Sequence, residues 1–319
     1  MSLNPEIAAY LELVEAGRST TQRIPMHGLT PEEARRQFDA SAQMFAVGAE
    51  EMASVETLWV NARDGAQLEA RLYRAQLPKA GRLTPALLYF HGGGYVVGSL
   101  DSHDALCRGL AAQGDYAILA VAYRRAPEQR FPTACNDALD AWNWLTDNAV
   151  GKGLDATRLA VGGDSVGASL ATVLTRDLAL SGAINPPRLQ VLIYPVTDAT
   201  RSTPSLVRYA EGYLLEAATL KWFYQQYANH DSDRHDPRFS PLLGSVPTNL
   251  APALVLLGEC DPLHDEGLAY VAHLQEAGIK VELHDWEGMT HDFLRMGMII
   301  DEAEDAQSII AAALAKAFA

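Results

Sequence analysis

The chain has 319 residues, 48% hydrophobic and 20% charged, an ordinary make-up for a soluble globular protein with room for two domains or one large α/β domain carrying an insertion. Its formal charge of −15, with no basic run, argues against nucleic acid or an anionic membrane surface as a partner and favours a neutral substrate over an anionic one. Three scattered cysteines, Cys107, Cys135 and Cys260, are too few for a disulfide framework or a zinc site and are expected to be buried thiols in a reducing compartment.

Residues 1 to 50 read as short helices, a candidate N-terminal cap segment. Ile7, Leu11 and Val14 share one helical face, and Thr30 is a good N-cap for a segment opening at Pro31-Glu32-Glu33. Met1 to Gly17 has neither a basic n-region nor a continuous apolar stretch, so no signal peptide is expected. No run reaches the ~18 apolar residues of a membrane span, so the expected location is cytoplasmic. A homodimer is left open.

From residue 51 onward, strand patterns begin at Glu56–Val60 and Leu68–Tyr73. Compact apolar runs follow at Ala86–Phe90, Ala117–Ala122, Leu159–Val161, Leu189–Tyr194, Ala253–Leu257 and Val281–Leu283. Helical patterns over Asp101–Gln113, Phe131–Asn148, Ala168–Leu180, from Asp265 to Gly278, and Glu302–Ala317 separate most of them. Buried strands alternating with helices predict an α/β fold with a mostly parallel sheet covered on both faces and chemistry at the strands' carboxyl ends. Residues 51–319 are thus expected to form one α/β domain, with an insertion. Between about 198 and 243 the rhythm breaks into an all-helical insertion too long for a simple connection, read with the N-terminal helices as a cap. Its aromatics around Trp222 and Phe223 either wall a pocket or simply pack the insertion onto the core.

Gly163-Asp164-Ser165-Val166-Gly167 lies between an apolar run and an amphipathic helix, a setting that turns Ser165 sharply out of the sheet's end. The plainer reading is a serine capping a helix. His91-Gly92-Gly93-Gly94-Tyr95 follows the Ala86–Phe90 strand. Its glycines either aim backbone N–H groups at a developing oxyanion or form a flexible turn, and the position upstream of Ser165 favours the first. Gly92 shapes this loop, and His91 reads as its hydrogen-bonding orienter rather than as a base.

A serine nucleophile needs a base, and the base needs a carboxylate. Asp261 follows one strand run and His291 another, giving the chain order Ser, Asp, His at one sheet edge. Asp265 is the competing carboxylate, but it reads as a helix-start residue. His230, Asp231, Asp233 and His235 lack strict ligand spacing and read as a surface loop, so no metal is expected.

Together, His91-Gly92-Gly93-Gly94, Tyr123-Arg124-Arg125-Ala126-Pro127-Glu128, Gly163 to Gly167, Asp236 to Leu242, Asp261 to Gly267 and Gly288 to Phe293 resemble the hormone-sensitive-lipase-like family of α/β-hydrolase esterases, over roughly residues 55 to 319. The resemblance implies Ser165 as nucleophile, His291 as general base and acid, and Asp261 as its orienter. It also implies oxyanion donors at Gly93, Gly94 and Val166, and no cofactor. The chain departs from the family at Val166 (more usually Ala), at Asp292 (commonly Gly) and at Arg125 (usually apolar). The expectation is a serine carboxylesterase acting on small-molecule esters of short to medium acyl chain. Tyr95, Tyr194, Trp222 and Phe223 are its candidate pocket residues, and Val166 adds bulk beside the nucleophile. An aryl-formamide or amide hydrolase with the same triad, and a non-catalytic receptor of the same fold, are the alternatives.

Overall fold

The computed structural model describes residues 3–21, 24–45, 49–78 and 81–319. Within them, one eight-stranded sheet is built from β1 (Ser54–Asn61), β2 (Gln67–Arg74), β3 (Thr84–Phe90), β4 (Ala117–Val121), β5 (Leu154–Asp164), β6 (Gln190–Ile193), β7 (Ala253–Cys260) and β8 (Val281–Thr290). The spatial order is β1-β2-β4-β3-β5-β6-β7-β8. The pairs β1–β2 and β2–β4 are antiparallel, and every later pair is parallel. The helices are α1 (Pro5–Thr21), α2 (Pro31–Ala42), α3 (Asp104–Ala112), α4 (Thr133–Asn148), α5 (Val166–Ser181), α6 (Pro204–Arg208), α7 (Ala217–Tyr227), α8 (His264–Glu276) and α9 (Glu302–Phe318).

The continuous apolar runs are central strands buried on both faces, and their period of two divides the core. Leu88, Phe90, Val161, Leu192, Val255 and Leu257 pack with α4, α5 and α8 on one side. Leu87, Tyr89, Val191, Ile193, Leu254 and Leu256 pack with α3 and α9 on the other. Two strands run longer than their apolar cores. β5 starts at Leu154 through a polar lead-in. β8, at the sheet's edge, continues through Glu282, His284, Asp285 and Glu287 to Thr290. An edge strand needs only one buried face, so its outer residues carry no apolar signal.

Thr30 caps α2 as the sequence predicts, with a reciprocal capping box to Glu33. The N-terminal segments divide in two. Ile7 of α1 enters the α3–α9 core, and Asn4 donates its N–H to Gly288 O at 3.2 Å. Ile24 to Phe38, in contrast, reach the carboxyl edge of the sheet, where they meet α7 and the segment before it. The insertion contains α6 and α7 and no strand. Helix α8 starts at His264 with Leu263 as its N-cap, so Asp265 sits inside the first turn instead of capping it. Among the described residues no helix is long and apolar enough to cross a membrane. Cys107, Cys135 and Cys260 are buried free thiols.

Candidate active site

At the end of β5 the chain reverses into α5 with Ser165 at φ 54°, ψ −123°, a region sparsely populated for residues with a side chain. The turn passes so close to β3 that a Cβ on Gly167 would lie 2.0 Å from Phe90 O. Only glycine fits there. The strain and the close approach together hold the Ser165 hydroxyl above the sheet's carboxyl edge, and Ser165 N–H is tied to Ile193 O at 2.8 Å.

β8 delivers His291 and β7 delivers Asp261. The Ser165 Oγ lies 3.0 Å from His291 Nε2, and His291 Nδ1 lies 2.6 Å from Asp261 Oδ2. The second Asp261 oxygen accepts the Leu263 N–H at 2.8 Å, so the carboxylate is fixed at both ends. Asp265 is engaged elsewhere: it accepts the Ser205 N–H at 2.8 Å, stitching the start of α8 to α6. The geometry therefore brings together the three residues that the motif order picked out.

Burial opposes a charged imidazole at His291. The charge and hydrogen bond of Asp261, reinforced by Asp292 and Asp164, outweigh it and hold the pKa above the ordinary histidine value. A base must be neutral to accept a proton, so activity should fall as pH drops through this raised pKa. We expect the acid limb of kcat/KM against pH to have its midpoint above the ordinary histidine value of about 6.5. A midpoint below it in a pH–rate profile would contradict this balance of burial and charge.

The glycine loop after β3 has φ 116° at Gly93 and 60° at Gly94. Among the described residues, no hydrogen bond occupies the N–H groups of Gly93, Gly94 and Val166. Such free donors suit a developing oxyanion. A Cβ on Gly94 would lie 2.1 Å from the Phe223 ring, so α7 presses directly on this loop. His91 is tied into this loop: burial pushes its pKa down to about 3, its Nδ1 meets Gly92 O at 2.7 Å, and its carbonyl accepts from Tyr123 at 2.8 Å.

Asp164, beside Ser165 in the pentapeptide, is a buried clamp. Its carboxylate accepts the Gly92 N–H at 3.0 Å and the Tyr89 hydroxyl at 2.7 Å, and lies 3.3 Å from His103 Nε2. Burial alone would raise its pKa; His103 and Tyr89 instead hold it well below the carboxylate range. The available signal was a charged residue closing an otherwise apolar buried strand.

A cavity of about 180 Å³ opens beside Ser165 and His291. Phe223, Leu214, Leu215 and Thr219 from the insertion and Ile24, Met26 and Phe38 from the N-terminal region wall it. Of the four aromatics proposed for the pocket, only Phe223 lines it. Tyr95 stacks on Tyr227 at 3.8 Å within the core, Tyr194 packs behind His291 at 4.6 Å, and Trp222 sits beside Phe223 but off the cavity. Val166 does not crowd the cavity either; its side chain, at the first position of α5, is buried in the core. The leucine walls and the N-terminal contribution were missed because they come from segments whose apolar residues looked like ordinary packing. Among the described residues no cluster of possible metal ligands occurs.

The chain is 57% identical over 314 residues to an ethyl acetate hydrolase of Pseudomonas putida, covering 98% of this chain and 99% of that protein. It is 33% identical to the carboxylesterase NlhH of Mycobacterium tuberculosis over 237 residues, 73% of this chain and 74% of the relative. The hyperthermophilic esterase of the archaeon Pyrobaculum calidifontis superposes with a TM-score of 0.92 at 35% identity, with both chains fully covered. Residues 87–295 match the family described as alpha/beta hydrolase fold. With an elbow serine, a strand-end aspartate and histidine, and a glycine loop arranged on this sheet, the chain belongs to the α/β-hydrolase family, in its hormone-sensitive-lipase-like esterase branch.

Proposed function

We propose that Ser165, His291 and Asp261 are the catalytic triad of this carboxylic ester hydrolase, with Gly93, Gly94 and Val166 as oxyanion donors. The carrying observation is the unbroken relay from Ser165 Oγ through both ring nitrogens of His291 to Asp261, opening on an apolar cavity. Ser165 Oγ attacks the ester carbonyl carbon as His291 Nε2 takes its proton. The carbonyl electron pair moves onto oxygen, where the three N–H groups hold the charge. Collapse expels the alcohol oxygen, which takes the proton from His291 and leaves an acyl-enzyme. Water repeats the sequence and releases the carboxylic acid. Asp261 keeps His291 in the tautomer that presents Nε2 to the serine.

The cap in this reading is formed by the Ile24–Ala42 region and the insertion around α7, which together roof the cavity. The small apolar volume supports short acyl chains, as does the name of the Pseudomonas putida relative. Each added methylene should gain about 0.8 kcal/mol until the chain meets a wall. The specificity constant should climb from acetyl, peak at a short or medium chain and then fall. Because Phe223 lines the cavity and Val166 does not, Phe223→Ala should move the peak to longer chains, while Val166→Ala should leave it in place. A p-nitrophenyl ester series on both variants checks this; a shift caused by Val166→Ala alone would place the limit in the wrong wall.

Three buried free thiols support a reducing, cytoplasmic setting. Leu13, Met44 and Met298, exposed and grouped around one apolar depression, support a homodimer, and light scattering at micromolar concentration decides between one copy and two.

A further inference from the structure

Asp292, next to His291 in the chain, lines the same cavity. Its backbone stands at φ 70°, where a side chain is strained and glycine is not, yet the position carries a carboxylate. One carboxylate oxygen accepts from Arg295 at 2.8 Å. That guanidinium is no host for a substrate anion. Its side chain is only 4% exposed, it lies over the Phe38 ring at 4.8 Å, and it is absent from the cavity wall. The ionisable groups that do line the cavity are Asp164, Asp292 and His291, with no lysine or arginine among them. Asp164 is already turned toward Gly92, Tyr89 and His103. Asp292 is therefore the carboxylate left to meet what enters.

We propose that Asp292 is a specificity-determining residue that restricts this cavity to uncharged esters and drives out the carboxylate product; the proposal rests on the esterase reading above. A substrate carrying its own carboxylate brings a further negative charge beside Asp292 into a small low-dielectric space whose lining includes no lysine or arginine. Hydrolysis itself produces such a charge: once the acyl-enzyme is cleaved, the acid loses its proton and the resulting anion faces Asp292. The same repulsion that excludes anionic esters then disfavours rebinding of product.

The test compares ethyl butyrate with monoethyl succinate, which replaces the terminal methyl by a carboxylate at the same chain length. The wild type should prefer ethyl butyrate. In Asp292→Asn the ratio of the two specificity constants should fall by about tenfold, and the inhibition constant of acetate should drop by a similar factor, as removal of one nearby charge implies. Should the asparagine variant fail to fold, Asp292→Gly suits φ 70° without strain and should show both changes. Ratios and acetate inhibition within about twofold of wild type, with ethyl butyrate still hydrolysed, would overturn the proposal. A wild type that hydrolyses neither ester would instead overturn the esterase reading.

Discussion

Ser165→Ala should lower turnover of p-nitrophenyl acetate by on the order of 10⁴–10⁶-fold while the protein folds as before. In the proposed mechanism the hydroxyl supplies the nucleophile, and among the described residues no other serine or cysteine lines the cavity: Cys107, Cys135 and Cys260 are buried, and Ser169 Oγ donates to Val196 O at 2.5 Å. Stability should change little, because alanine at φ 54° has the same backbone strain and loses only the hydrogen bond to His291. A fluorophosphonate should label the wild type at this residue alone. Labelling that persists in Ser165→Ala, read by mass spectrometry, would assign the nucleophile elsewhere.

Asp261→Asn should cost up to about 10⁴ in turnover, with the fold retained. The amide can present its NH₂ to His291 Nδ1, which then becomes the acceptor and puts the ring proton on Nε2, facing the serine. The ring would then point a proton, not a lone pair, at Ser165 Oγ. The 2.6 Å contact that orients His291 is thus the one whose chemistry is inverted. Asp265→Asn removes instead a charge-assisted acceptor for the Ser205 N–H and should cost about 1–2 kcal/mol of stability with little kinetic effect. Melting curves and kcat measured on both variants separate the two roles. The larger kinetic loss on Asp265→Asn would reverse them.

Much of the site could be read from the sequence because Ser165 and Asp261 are among the first polar groups after apolar runs, while His291 was marked by the short motif Gly288 to Phe293. A central strand of a parallel sheet must be apolar to be buried on both faces, so its end is marked where polarity resumes. Ser165 and Asp261 stand at such ends, and His291 follows the edge strand β8, whose carboxyl terminus points the same way as those of β5 and β7. The glycine loop was legible for a related reason: successive residues without side chains leave their N–H groups open.

The cavity wall was not legible. Tyr95 and Phe223 are both aromatic residues beside glycines or other aromatics, and nothing local separates a ring that faces the substrate from one stacked on Tyr227. A cap helix has apolar residues toward the core and toward the cavity alike, so its periodicity cannot divide them. Val166 likewise turned inward, because its Cα direction is fixed by the start of α5 and not by the neighbouring serine. Asp164 was hidden by its neighbours in the pentapeptide; its partners Gly92, Tyr89 and His103 are more than sixty positions away.

The sequence by itself determined the α/β architecture, the order of the strands' buried cores and the three residues of the relay, since burial on both faces and a sharp strand-to-helix turn impose their patterns on contiguous residues. Only the tertiary structure decided which segments wall the cavity, where Val166 and Tyr95 point, and that Asp292 rather than Arg295 lines the cavity. Those outcomes depend on how distant elements converge at the carboxyl edge of the sheet, and a contact between Phe38 and Arg295 or between Gly94 and Phe223 leaves no periodic trace in either partner's own stretch of chain.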